Sequence, residues 1–153
     1  MDKPLLIEKV LAHLDAELDR YTQAARAAQA DATDDQSRAE NKYDTRGLEA
    51  SYLAHGQSRQ AVETRQAREQ FAALDRRDFA PGEPVNVGAL VELEGEGECV
   101  FYFVGPSAGG TEVVHEGQEV LVITGQSPLG RQLIGRCEGE RLAEGGWRIV
   151  AVR

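Results

Sequence analysis

Cysteine is nearly missing: Cys99 and Cys137 are the only two in 153 residues. Two thiols without clustered histidines supply neither a disulfide framework nor a metal site, so free thiols in a reducing cytoplasm are expected. Cationic residues are outnumbered, 17 Lys and Arg against 26 Asp and Glu, for a formal net charge of -9. That balance excludes indiscriminate clamping on a phosphate backbone, which needs clustered Lys and Arg to displace counterions. Work beside nucleic acid would require another macromolecule to hold the chain there. No apolar run approaches membrane-spanning length, and Asp2, Lys3 and Pro4 lead directly into an amphipathic pattern. Neither a membrane partner nor a signal peptide is therefore expected.

Proline is scarce before residue 80, where only Pro4 occurs, while residues 81–153 hold the other prolines and most of the glycine. This shift in texture divides the chain into a helical module, 1–80, and a β-rich module, 81–153. Ala80-Pro81-Gly82-Glu83-Pro84 is the joint. In the first module Ile7, Leu11, Leu14, Leu18, Tyr21, Ala25 and Ala28 follow at alternating steps of four and three, an unbroken heptad seam that tapers toward small residues. Asp2 suits the helix cap and Pro4 its first turn. Leu5, Leu6 and Val10 widen the apolar face at the base, where it can dock on the second module. A returning helix over about Thr45 to Asp75 is expected to take its apolar contacts from Leu48, Tyr52, Leu53, Val62, Phe71 and Leu74, with Gln57 and Gln60 interrupting the pattern. The pair predicts an antiparallel coiled-coil hairpin, each arm reaching about 45 Å.

Between the helices, residues 31–44 carry Asp31, Asp34, Asp35, Glu40 and Asp44 at the tip. Crowded carboxylates repel one another unless a cation or a partner's cationic surface offsets the repulsion. A solvated acidic turn is the alternative, and it is the reading that the pattern alone favours.

In the second module Ala89–Glu94, Cys99–Val104, Val113-Val114, Val120–Thr124 and Trp147–Val152 read as strands of a small antiparallel sheet. Ser127 suits an N-cap, Pro128 the first helical position and Gly135 the residue after the C-cap, which brackets one short helix with Leu129, Leu133 and Ile134 on one face. The fold class is α+β.

Gly105-Pro106 after an aromatic strand, then Val122-Ile123-Thr124 and Ser127-Pro128-Leu129-Gly130-Arg131-Gln132-Leu133-Ile134-Gly135, resembles the C-terminal FKBP-like domain of bacterial Gre-type transcription elongation factors. Glu40-Asn41 with Tyr43 resembles the family's tip signature on its long coiled coil. The resemblance implies docking on RNA polymerase at the secondary channel through Ser127, Pro128 and Leu129. It also implies indirect contact with the nascent RNA 3′ end, and cleavage of backtracked RNA in the polymerase's own active site. The chain is then an accessory factor, expected to be a monomer that binds no cofactor alone. Asp35 and Glu40, with Asp34 and Asp44 beside them, would share a Mg²⁺ with the polymerase. One departure stands out: the family's cleavage-competent tip reads Asp-x-x-Glu-Asn, and gap-free alignment puts Ser37 at the first position. A channel-occupying regulator without cleavage is therefore the alternative, and a coiled-coil interaction module also fits the seam. The topology suggests a peptidyl-prolyl isomerase as well, but a crowded aromatic pocket is lacking, and Phe101, Tyr102, Phe103 and Trp147 read as core. Scattered His13, His55 and His115 read as surface or helix-face residues, and Cys99 and Cys137 as ordinary buried thiols, which leaves a stand-alone hydrolase without a nucleophile–base pair.

Overall fold

The computed structural model describes residues 1–33, 45–95, 97–143 and 145–153. Two long helices, α1 (Lys3–Thr33) and α2 (Arg46–Ala72), precede strands β1 (Leu90–Gly95), β2 (Glu98–Gly105), β3 (Glu112–His115) and β4 (Gln118–Thr124), the short helix α3 (Pro128–Leu133), and strand β5 (Arg148–Val152). Among the described residues no helix is long and apolar enough to cross a membrane. The chain divides into two compact units, one of Met1–His13 with Glu69–Arg153 and one of Leu14–Arg68. The sequence boundary at 80/81 therefore does not coincide with the division by packing, because the roots of both helices belong with the sheet.

In the first unit, Asp2 caps α1 by accepting from the Leu5 amide at 2.9 Å. Leu6, Ile7, Val10 and Phe71 are fully buried, and the Phe71 and Phe103 rings lie 6.0 Å apart. Leu5, expected to join them, is 45% exposed. Lys3 is also buried. Its ammonium donates to the Arg77 carbonyl and sits 4.9 Å from the centre of the Phe79 ring. Burial holds its pKa below the ordinary lysine value, against the raising effect of Asp78.

The sheet order is β3-β4-β2-β1-β5. It is mixed rather than uniformly antiparallel, because β2 and β4 run parallel from Phe101 beside Val120 to Gly105 beside Thr124. The chain between them spends its reversal on β3, which pairs antiparallel with the outer side of β4. Phe103, Val120 and Val122 are fully buried. Val104, Ile123, Leu93 and Ile149 form a core with Leu133 of α3, and Tyr102 and Trp147 pack against it. His115, expected at the surface, is fully buried, its Nε2 3.4 Å from Glu116 Oε1. It shares the inward set of β3 with Val113, two residues before it.

The Pro81-Gly82 joint is a tight turn: Glu83 donates its amide to the Ala80 carbonyl at 2.9 Å, and Gly82 takes the positive φ of 79 that the third residue of a type II turn requires. The Glu83 carboxylate accepts from the Ala80 amide at 2.8 Å and from Arg77 Nη1 at 2.8 Å. The Arg77 hydrogen bond, with the Ala80 amide, lowers the Glu83 pKa from 4.5 to about 2.

In the second unit α1 and α2 pack antiparallel, with Asp15 and Arg68 paired and Thr33 near Ser51. The α1 seam is as expected, with Leu14 and Ala28 buried and Leu18, Tyr21 and Ala25 half-buried. The α2 seam is not. Leu48, Tyr52, Leu53 and Val62 are 56, 70, 56 and 49% exposed. The inward positions are instead Gly47, Ala50, Ala54, Gln57, Ala61, Thr64 and Ala67, at steps of three and four. The small residues of α2 thus face the larger Leu14, Leu18 and Tyr21 of α1, and the bulky residues of α2 stand on its flanks and outer face.

Two outcomes follow from this packing. Ala61→Leu should destabilise the protein by about 1–3 kcal/mol, because it forces a larger side chain into a buried position, whereas Leu53→Ala, at an exposed position, should change stability by less than about 0.5 kcal/mol. Urea unfolding of the two variants compares them directly. Glu83→Gln should lower stability at neutral pH. Because the Glu83 pKa is depressed in the folded protein, its contribution is present above pH 4.5 and is lost as pH falls toward about 2. The difference between parent and variant should therefore shrink across that window, and a difference constant in pH would show that the Arg77–Glu83 pair contributes nothing.

Candidate functional site

The carboxylates Asp34, Asp35, Glu40 and Asp44, together with Ser37, Asn41 and Tyr43, lie outside the described residues. What is described is the pair of helix ends that lead into them. At the end of α1 the Thr33 hydroxyl donates to the Gln29 carbonyl at 3.0 Å, returning its polarity to the last turn, and Asp31 is exposed. At the start of α2, Thr45 donates to Glu49 Oε1 at 2.8 Å, and Glu49 places a carboxylate in the first turn, where the helix dipole favours it. In the sequence, residues 34–44 lie between the end of α1 and the start of α2.

The second candidate surface is the start of α3. Ser127 is the N-cap, with extended backbone at φ -65 and ψ 157. Its Oγ accepts from the Gly130 amide at 3.0 Å and donates to the Thr124 carbonyl at 2.8 Å. Pro128 follows at the first helical position. Gly130 is fixed by space: a Cβ there would stand 1.9 Å from the Thr124 carbonyl oxygen. The helix closes with the Ile134 amide donating to the Gly130 carbonyl at 2.9 Å, and Gly135 follows with φ 82.

Of the three candidate docking residues, only Pro128 presents itself to solvent. Ser127 is half-buried with its hydroxyl engaged on both sides, and half-buried Leu129 packs against the sheet core. Ile134 departs from the expected common face with Leu133: it is 39% exposed while Leu133 is fully buried. Exposed Arg131 donates to the Gln126 carbonyl at 2.7 Å and so stiffens the loop before the helix.

The cysteines are not the buried thiols expected. Cys99 is exposed and Cys137 is half-buried, and neither is bonded to another sulfur. Cys99 is the second residue of β2, opposite Glu94 near the end of the ladder with β1. Desolvation first, then Glu92 and Glu94, raise its pKa, which makes it a poor nucleophile at neutral pH. Phe101 and Tyr102 are neighbours on one strand and point to opposite faces of the sheet. They do not converge on an aromatic pocket. Among the described residues there is no group of three His, Cys, Asp or Glu side chains able to hold a metal ion.

No family model matches the chain, and no curated protein does. Several solved structures are similar to it, among them the following. A crystal structure of Thermus aquaticus Gfh1 is 24% identical over 95% of this chain and 92% of its own, with a TM-score of 0.39. The GreA factor homolog 1 protein of Thermus thermophilus is 24% identical over 94% of each chain, with a TM-score of 0.38. A structure of the transcription factor Gfh1 is 24% identical over 96% of this chain and 92% of its own, also at 0.38. At these scores the likeness assigns no residue a role.

The α3 geometry separates capping from display. Ser127→Ala should cost about 1 kcal/mol of stability through loss of the cap, while Pro128→Ala should change it by less than about 0.5 kcal/mol. Thermal unfolding of both variants measures the contrast.

Proposed function

We propose that the chain is a Gre-type transcription elongation factor that docks on RNA polymerase at its secondary channel and modulates cleavage of backtracked RNA. The observation that carries the proposal is the antiparallel hairpin whose two long helices end at Thr33 and begin at Arg46, on either side of the acidic 34–44 segment. A two-helix rod has a narrow cross-section, and its cost is justified where something must be delivered into a confined site. What it delivers is carboxylate. The chain acts as an accessory and not as an enzyme, lending side chains to chemistry performed by its partner.

Phosphodiester hydrolysis benefits from a second Mg²⁺, which stabilises charge on the attacking and leaving oxygens and takes oxygen ligands. Asp35 and Glu40 are the residues proposed to hold it, with Asp34 and Asp44 adding negative potential. Docking falls to the start of α3. Pro128 is the contact residue there, held in place by the Ser127 cap and by the close approach of Gly130 to Thr124. Ser127 and Leu129 act as its supports.

A second reading is favoured by one observation, the Ser37 that stands where the family pattern has an aspartate. With one metal-facing oxygen fewer, the hairpin would occupy the channel and restrain the polymerase without assisting cleavage.

A purified backtracked elongation complex tests both. Under the first reading the chain shortens the RNA in a Mg²⁺-dependent way, and Glu40→Ala or Asp35→Ala lowers the rate about tenfold or more, the scale of a lost charge-stabilising contact. Under the second it slows nucleotide addition without cleavage. Pro128→Ala should weaken polymerase affinity with folding intact, and an unaltered affinity would leave α3 with only its structural part.

A further inference from the structure

One flank of the hairpin is grooved. Two adjoining depressions of about 270 and 370 Å³ share Gln29 and Ser58 and run along the cleft between α1 and α2. The walls are built from small side chains, Ala25, Ala32, Ser51, Ala54, Ser58 and Ala61, with Val62 at the lip. Lining positions recur at steps of three and four on both helices, from Thr22 to Thr33 on α1 and from Ser51 to Arg65 on α2. The lining therefore extends over about three helical turns. Two parallel stripes at helical period, low enough for close approach, make the seat into which a third helix packs in a bundle.

The charge of this groove is opposite to that of the protein. Arg26 and Arg65 line it, and no carboxylate does, in a chain whose formal net charge is -9. The other arginines of this hairpin that have a carboxylate partner use it: Arg20 pairs with Glu17, Arg59 with Glu63 and Arg68 with Asp15. Arg26 and Arg65 are exposed and have no ion-pair partner among the described residues. Val62 is 49% exposed, and Leu48 and Tyr52 stand farther along the same outer side of α2 at 56 and 70%. Such apolar groups are ordinarily covered when a partner is present.

We infer that this groove is the docking site of an acidic amphipathic helix from a partner protein, whose apolar stripe covers the Ala and Ser walls and Val62 and whose carboxylates meet Arg26 and Arg65. A second copy fits less well, because a twofold contact through the groove would bring the same two arginines toward their symmetry mates. Nucleic acid also fits less well. Two cations release few counterions, and the groove is lined by the His55 imidazole but by no Phe, Tyr or Trp for base stacking.

The test uses the full chain and two synthetic three-heptad helical peptides that share one Leu/Ala stripe, one flanked by Glu and the other by Lys. At about 0.15 M salt the Glu peptide should bind, shifting the amide resonances of Ala25, Ser58 and Ala61, and the Lys peptide should bind at least about tenfold more weakly. Arg26→Glu combined with Arg65→Glu should invert that preference, with helicity and melting temperature confirming the fold. Arg26→Gln with Arg65→Gln, a milder pair, should abolish it. Equal binding of the two peptides, binding of neither, or a preference that survives both double variants overturns the inference. So does tighter binding by a single-stranded RNA oligonucleotide that the arginine variants lose, or a dimer in sedimentation that the Glu peptide does not dissociate.

Discussion

The hairpin depends on a narrow stripe along which α1 and α2 face one another. Among the described residues of Leu14–Arg68, Leu14, Ala28, Ala61, Thr64 and Ala67 are buried. Small side chains bury little area, at about 25 cal/mol per Å². The unit therefore leans on helix propensity and on pairs such as Arg59–Glu63 and Asp15–Arg68. It should open at lower free energy than the sheet, where Leu90, Leu93, Phe103, Val104, Val120 and Val122 are buried. The stripe on α2 is made of small residues, and Leu48, Tyr52, Leu53 and Val62 stand outside it.

The root of the helices solves the opposite problem. Here the apolar residues are large, with Leu6, Ile7, Val10 and Phe71 fully buried beside a sheet that offers Phe103, Val120 and Val122. A buried lysine in such a place would be costly alone. Lys3 keeps its ammonium hydrogen-bonded to the Arg77 carbonyl and over the Phe79 ring, with Asp78, Asp75 and Glu83 contributing favourable potential. Arg77 in turn grips Glu83 across the Pro81-Gly82 turn. The first turn of α1 and the segment after α2 are thereby tied to one another through one cation and one carboxylate clamp.

How much of this could be read in the sequence depended on residue size and on locality. The α1 seam was legible because Ile7, Leu11, Leu14 and Leu18 are large and evenly stepped. The α2 seam was not, because its buried residues are Ala, Gly and Thr, which carry weak hydrophobic signal, while its conspicuous apolar residues face outward. α3 was legible at both ends, since Ser127, Pro128 and Gly135 each serve a local backbone need. The parallel pairing of β2 with β4 was not, because alternation along a strand says which face is buried and not which strand lies alongside. His115 could have been found by counting two residues on from Val113, but a histidine near a turn reads as polar. The candidate docking residues were half legible: the capping chemistry of Ser127 follows from its type, whereas exposure of Pro128 and burial of Leu129 required the packing.

Charge on the hairpin is sorted by position rather than spread evenly. Five carboxylates fall between Asp31 and Asp44 in the sequence, while Arg26 and Arg65 stand on the flank without a carboxylate in their groove. A net charge of -9 would by itself describe a particle repelled by any anionic surroundings. At physiological salt, however, fields decay over about 8 Å, so a partner senses each patch and not the sum. A chain with an acidic segment between its two long helices in sequence and cations on the flank of the hairpin is suited to surroundings that change sign, and it discriminates against ones that are uniformly anionic. Net charge therefore restricts nonspecific adhesion, and the sorting of charge along the helices determines which specific contacts remain open.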